Sequence, residues 1–431
     1  MTCIFPFCFL FFKNYTRCIK YAAIVAAGLI AIAVIFSGSR AGVLAIVSVT
    51  AVWLFIQLKN QKIRLKISLF KILLVAIIFT LLVVLYLFKK DSADGRLLIW
   101  RCAIDMIADK PVFGHGVGAF NAKYMLYQAA YFNANLDSRY AQLADNTQYP
   151  FNEYLLILCE YGVAGLCVVI LMVILLARAY RRNNSKENLP ALMSLFALAV
   201  FSFFSYPFKY PFTWLILFLN ITIICFPIIN NSLIKIRGKL PNLHSKIYNW
   251  FFRVAIFLLS IGLLTYTILL TQAEMKWRRI THSSLLGKTA QILPKYDDLY
   301  CYLGKDGLFL YNHAAELHKA KEFERSITVF ERCLMYYNDM DVQMLLADNY
   351  IEIGKYAKAE HHLKMATLMC PSRFMPLYKL VKLYQLTERG NEAFTLAKKI
   401  IDKDVKIHSS TVTAILNEMR QLVETQKYNK H

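Results

Sequence analysis

Before about residue 271 the chain is a succession of apolar runs, each close to the length a helix needs to cross a hydrocarbon layer. The runs are Tyr21–Phe36, Ala41–Leu58, Ser68–Phe88, Tyr154–Ala177, Pro190–Tyr206, Pro211–Ile229 and Phe251–Thr271. A span takes about 20 mostly apolar residues. Inside lipid the backbone must satisfy its own hydrogen bonds, which a helix does within one segment. The sequence therefore predicts at least seven spanning helices. The hydrophobic share is 57%, against roughly 45–50% for a soluble domain, and the excess lies in these blocks. The remainder reads as ordinary soluble sequence. The expected fold is all-α: a polytopic transmembrane helix bundle over 1–271, with an outer loop at 89–153, followed by a soluble α-solenoid over 272–431. The stretch Tyr206–Pro211 reads as a tight hairpin link or a re-entrant kink.

A formal charge of +22 invites a nucleic-acid reading, but the position of the charge argues against it. Lys59, Lys62, Arg64, Lys66 and Lys71 fill one link, Arg178, Arg181, Arg182 and Lys186 another, and Lys235, Arg237, Lys239, Lys246 and Arg253 a third. Together with Lys13, Arg17 and Lys20 they fall on one side of the membrane. The opposite side receives Arg40, Lys209 and the long segment Lys89–Glu153, where seven Lys/Arg are balanced by seven Asp/Glu. Cytoplasmic loops carry the excess of Lys and Arg, so the long segment and the C-terminal domain are expected in the periplasm of a bacterial inner-membrane protein. The apolar stretch Met1–Phe12 carries its charges after it rather than before it, unlike a secretory signal. It reads as the tail of a further span, with part of the protein preceding it. The ten cysteines show no Cys-x-x-Cys or Cys/His spacing suited to a metal, and no cofactor is expected.

From about residue 309 the chain repeats with a period near 34, which marks a helix-turn-helix stack. Leu346, Ala347, Tyr350, Gly354, Tyr356, Ala359, Leu363, Ala366 and Pro371 resemble the small and large packing positions of a tetratricopeptide repeat. The unit before carries Leu317, Phe323, Ser326 and Phe330, and the unit after carries Leu380, Tyr384, Ala393 and Ile400. Such a stack serves as a protein-docking groove or as a packed spacer. His361 and His362 point about 100° apart on a helix, which argues against a shared metal and for a solvated face.

Four features of the outer side carry polar groups where apolar sequence would cost less. Arg40 lies in Ser37-Gly-Ser-Arg-Ala-Gly42 between two spans, where it snorkels to lipid phosphate or meets an anionic substrate. Asp94-Gly-Arg96 leads to Trp100-Arg101, a surface helix with Asp94 as its expected N-cap and Lys110-Pro111 as its end. It puts Arg96 or Arg101 at head-group depth, or is an anchor without chemistry. Pro111–Phe120 is glycine-rich and holds His115, the membrane half's one histidine on the outer side, either a loop residue or a base. Asp145 to Glu153 leads into the next span, and Glu153 is either a functional carboxylate or one favoured by the helix dipole.

Over about residues 22–176 these motifs resemble the O-antigen ligase/polymerase family of membrane glycosyltransferases. The resemblance rests on Ser39-Arg40, Gly95-Arg96 with Trp100, Lys110-Pro-Val-Phe-Gly114 with Gly118-Ala-Phe120, and Asn152-Glu-Tyr-Leu155 with Glu160-Tyr-Gly162-Val-Ala-Gly165. It implies transfer of a glycan from a polyprenyl diphosphate carrier to an acceptor hydroxyl, without a metal. Arg40, Arg96 and Arg101 become candidate diphosphate-binding residues, and His115, Asp145 and Glu153 candidate bases. Where the family often has His-Asn, this chain has Phe151-Asn152. One of the three candidates then replaces the histidine, or the acceptor differs, or catalysis is impaired. Expected partners are the lipid-linked glycan, its acceptor, membrane lipid and a protein on the repeats. The competing reading is a non-catalytic scaffold whose repeats recruit polysaccharide-assembly proteins.

Overall fold

The protein is described here by a computed structural model covering residues 1–12, 16–60, 89–183, 188–237, 244–285 and 289–428, with a few single positions between them. Every regular element among these residues is helical. The chain forms two compact units. The first comprises Met1–Arg96, Lys110–His115 and Tyr149–Asn249, the second Leu97–Asp109, Gly116–Gln148 and Trp250–His431.

In the first unit α1 (Arg17–Phe36), α2 (Arg40–Asn60), α5 (Glu153–Asn183), α6 (Leu189–Ser202) and α7 (Pro211–Arg237) realise five of the expected apolar runs. Most of Ser68–Phe88 lies outside the described residues. Four described helices are long and apolar enough to cross a membrane: α1, α2, α5 and the later α8 (His244–Leu285). α6 and Pro211–Phe226 are shorter apolar helices. Of the four long apolar windows a third is buried in protein in α2, far less in α1 and α5, and none in α8. That much exposed apolar surface is stable only against lipid, so this is a multi-pass membrane protein. The opening residues form a 3-10 turn, Phe5–Phe12. Phe5 joins a small core with Ala45 and Val49 of α2 and Met193 and Ala197 of α6, and Phe9 stacks on Trp53 at 4.8 Å.

α5 is broken at Gly162, whose φ of 63° and ψ of −161° interrupt the helical ladder. Lys110–His115 repairs the break. The Cys159 carbonyl accepts the His115 N–H at 2.9 Å, and the N–H groups of Val163 and Ala164 donate to the carbonyls of Pro111 at 2.8 Å and Val112 at 3.0 Å. An unpaired backbone group at such a place costs several kcal/mol in lipid. Two glycines make the crossing possible. A Cβ on Gly114 would lie 2.5 Å from the Glu160 carbonyl carbon, and one on Gly162 would strike the Val112 carbonyl.

The second unit holds α4 (Ala119–Ala134) and eight helices after α8. These are α9 (Thr289–Leu303), α10 (Gly307–Lys319), α11 (Phe323–Cys333), α12 (Met340–Glu352), α13 (Tyr356–Met369), α14 (Met375–Leu386), α15 (Gly390–Ile401) and α16 (Ser410–Tyr428). α10 packs with α11, α12 with α13 and α14 with α15. The small positions read from the repeat, Ala347, Ala359 and Ala366, are fully buried. Ala347 and Ala359 share one core with Leu346, Leu363, Phe330, Leu380 and Ile400. α8 runs into that core through Ala273 and Ile280, so one helix is apolar and uncovered at one end and packed at the other. The solvated face expected for the paired histidines holds for His361 alone. His362 is half-buried, stacked on Tyr350 at 5.4 Å and bonded to Gln343 at 2.7 Å.

Candidate active site beside Arg96

The helix α3 (Lys90–Asp109) begins one turn before the expected Asp94, because Asp91 already supplies a carboxylate to its first turn. Asp94 therefore lies inside the helix, where it accepts the Tyr86 hydroxyl at 2.8 Å. The helix ends at Asp109, just ahead of Pro111, as read from the sequence.

Ser92 and Arg96 are four residues apart on α3 and so share a face. Arg40, the first residue of α2, donates from Nη2 to Ser92 Oγ at 2.7 Å. Arg96 Nη1 donates to the Phe204 carbonyl at 2.9 Å, and its guanidinium lies 4.9 Å from the centre of the Phe151 ring. Burial, reinforced by the Arg40 charge, pulls the Arg96 pKa below its ordinary value. The Arg40 charge thus bears on Arg96 from the same face of the helix. No ion pair among the described residues involves Arg96 or Lys209.

An aromatic set extends the site. Phe151 takes a φ of 53°, left-handed backbone that a bulky side chain rarely adopts. Its ring meets Tyr206 edge-on at 5.3 Å, Tyr206 stacks on Tyr149 at 4.8 Å, and Lys209 Nζ sits 4.6 Å above Tyr149. The link between α6 and α7 delivers Phe204, Tyr206 and Lys209, with a 3-10 turn at Pro207–Lys209.

At the start of α5 Asn152 caps the helix, its Oδ1 accepting the N–H groups of Tyr154 and Leu155 at 2.9 and 3.1 Å. Glu153, only 5% exposed, accepts the Phe208 N–H at 3.0 Å. A cavity of about 460 Å³ adjoins this cluster, lined by Val34, Ser39, Leu198, Phe201, Tyr206 and Ile216 among others.

The structure thus brings Arg40, Arg96 and Glu153 into the first unit beside the 149–153 and 204–209 segments. His115 is in the same unit, half-buried, with its backbone tied to Cys159. Arg101 and Asp145 belong to the other unit. Arg101 is exposed and lies 3.8 Å from Asp105, and Arg373 Nη2 reaches both Asp145 oxygens at 2.8 and 2.7 Å. Sequence reasoning missed Tyr149, Tyr206 and Lys209. For Lys209 a signal existed, since it and Arg40 are the isolated cations of an otherwise cation-poor set of links. No group of three His, Cys, Asp or Glu side chains among the described residues is placed to hold a metal.

No curated protein matches the chain. Among solved structures, the MamA RS-1 ArsTM double mutant is 17% identical with a TM-score of 0.30, over 36% of this chain and 96% of that one. Residues 25–170 match the family described as O-Antigen ligase, Wzy_C. That range contains Arg40, Arg96, Phe151 and Glu153, the break at Gly162 and the loop that repairs it. Over residues 25–170, about a third of its length, the chain is accordingly similar to the O-antigen ligase family.

Proposed function

We propose that this site transfers a glycan from a polyprenyl diphosphate carrier to an acceptor hydroxyl on the periplasmic face of the bacterial inner membrane. The carrying observation is the pairing of Arg40 and Arg96 through one face of α3, with no carboxylate ion-paired to Arg96. A diphosphate is the anion that such a pair suits, since planar guanidinium groups match phosphate oxygens. The adjoining apolar cavity supports a hydrocarbon tail on the same ligand. The links rich in Lys and Arg support the orientation.

In the reaction the acceptor oxygen attacks the anomeric carbon and forms the new glycosidic bond. The bond from that carbon to the diphosphate oxygen breaks, and the electron pair leaves with the polyprenyl diphosphate. Arg40 and Arg96 hold the charge that develops there. A base takes the acceptor proton. Glu153 is the candidate favoured here, because it shares the unit and the 204–209 link with Arg96, whereas Asp145 is occupied by Arg373. Phe151 stands where the family often has histidine, and its ring lies against Arg96. It serves to position that arginine.

Binding of a short-chain polyprenyl diphosphate to the purified protein tests the reading. Losing charge-assisted hydrogen bonds worth about 1.5–3 kcal/mol should weaken R96A binding roughly 10- to 100-fold, while E153Q stays within about threefold. Equal affinity of wild type and R96A would remove Arg96 from the site.

A further inference from the structure

The second unit uses its helix pairs on a segment of its own chain. α4 packs against α13. The fully buried Gln128 donates to the Met369 carbonyl at 2.6 Å and accepts the Tyr124 hydroxyl at 2.8 Å. The Asn338 N–H donates to the Asn121 carbonyl at 3.1 Å. Further along, Asn146 Oδ1 accepts the Met340 N–H at 3.2 Å while its Nδ2 donates to Asp341 at 3.1 Å. Ser372 donates to the Ala144 carbonyl, and Asp145 receives Arg373. Backbone and side-chain groups are matched along the segment at both its helix and its extended end. Such matching, with a buried amide fully used, is how a groove reads a particular peptide.

We infer that the groove formed by residues 337–343 and 369–373 is the receptor for the chain's own segment 116–148, closing as an intramolecular latch. The groove is therefore occupied from within rather than open for recruitment. The Asp145 contact raises the Arg373 pKa, consistent with a stabilised pair.

Hydrogen exchange followed by mass spectrometry on the full chain in detergent tests it. The ion pair is half-exposed, 43% and 47%, so by itself it is worth about 1 kcal/mol or less. Reversal adds repulsion and loosens the buried contacts. R373E and D145R should each speed exchange across 116–148 by about tenfold, with 340–369 unchanged. The double variant D145R/R373E should return to within about threefold of wild type. The uncharged variant Q128L, which leaves the Met369 carbonyl without its donor, should speed exchange there as well. Unchanged exchange in the single variants overturns the latch, as does a double variant no better protected than they are. Loss of protection over 340–369 in every variant would show that the segment is ordinary core and not a latch. Protection that falls on dilution would assign the groove to the loop of a second copy and overturn the intramolecular reading.

Discussion

Arg96 touches a carbonyl oxygen and an aromatic face, and both favour its charge without cancelling it. That separates it from Arg325, Arg373 and Arg389, each of which meets a carboxylate. A histidine of the second unit makes a testable statement at the same scale. Burial, with smaller contributions from His361 and Lys358, lowers the His362 pKa from 6.5 to about 4. The folded chain then binds fewer protons than the unfolded one between those values, so stability is fully present above about pH 6.5 and declines as pH falls towards 4. Thermal unfolding of the helix pairs should ease over that window, and H362Q should flatten the dependence. An unchanged pH profile in H362Q would contradict it. Arg40, Arg96 and Glu153 were legible because charge at the edge of apolar sequence is costly and therefore conspicuous. Phe151 was legible only as a departure. Tyr149, Tyr206 and Lys209 were not, because aromatic residues near lipid are common and only packing brings 149 and 206 together. Asp145 read as a free acid because nothing in sequence joins it to an arginine 228 positions away.

At the scale of elements, the Pro-Val-Phe-Gly and Glu-Tyr-Gly motifs turn out to be two halves of one device. Each was visible in the sequence as a cluster of glycine beside apolar residues. Their mutual hydrogen bonding was not, since a glycine-rich run suggests a phosphate loop as readily as a backbone crossing. Positive φ at Gly114 and Gly162 and the lack of room for a Cβ make the crossing intolerant of side chains. An alanine in left-handed backbone costs about 1–2 kcal/mol, and displacing a carbonyl adds to it. G114A and G162A should each lower the melting temperature in detergent, by more than G116A does, because a Cβ on Gly116 meets nothing. Equal losses in all three would remove the crossing as the reason for the motif. The all-helical character of the second unit was read more completely, and Ala347 and Ala359, expected as close-packing positions, are buried in its core.

For the whole molecule, the apolar runs indicated a multi-pass helical protein, and the described helices with uncovered apolar faces agree with that. The division into two units was less legible, because the chain passes between them more than once and the segment 116–148 belongs with the C-terminal helices. Sequence order suggested a loop followed by a separate domain; side-chain contacts such as Gln128 with Met369 tie the two together. The central claim is that Arg40 and Arg96 hold the diphosphate of a lipid-linked glycan as it departs. The most direct measurement is release of polyprenyl diphosphate from lipid-linked glycan by the purified full-length chain in the presence of acceptor. Wild type should release it, and R40A and R96A should each lower the rate by at least about a hundredfold, as loss of a transition-state charge donor does. Release that persists at the wild-type rate in both variants would contradict the account.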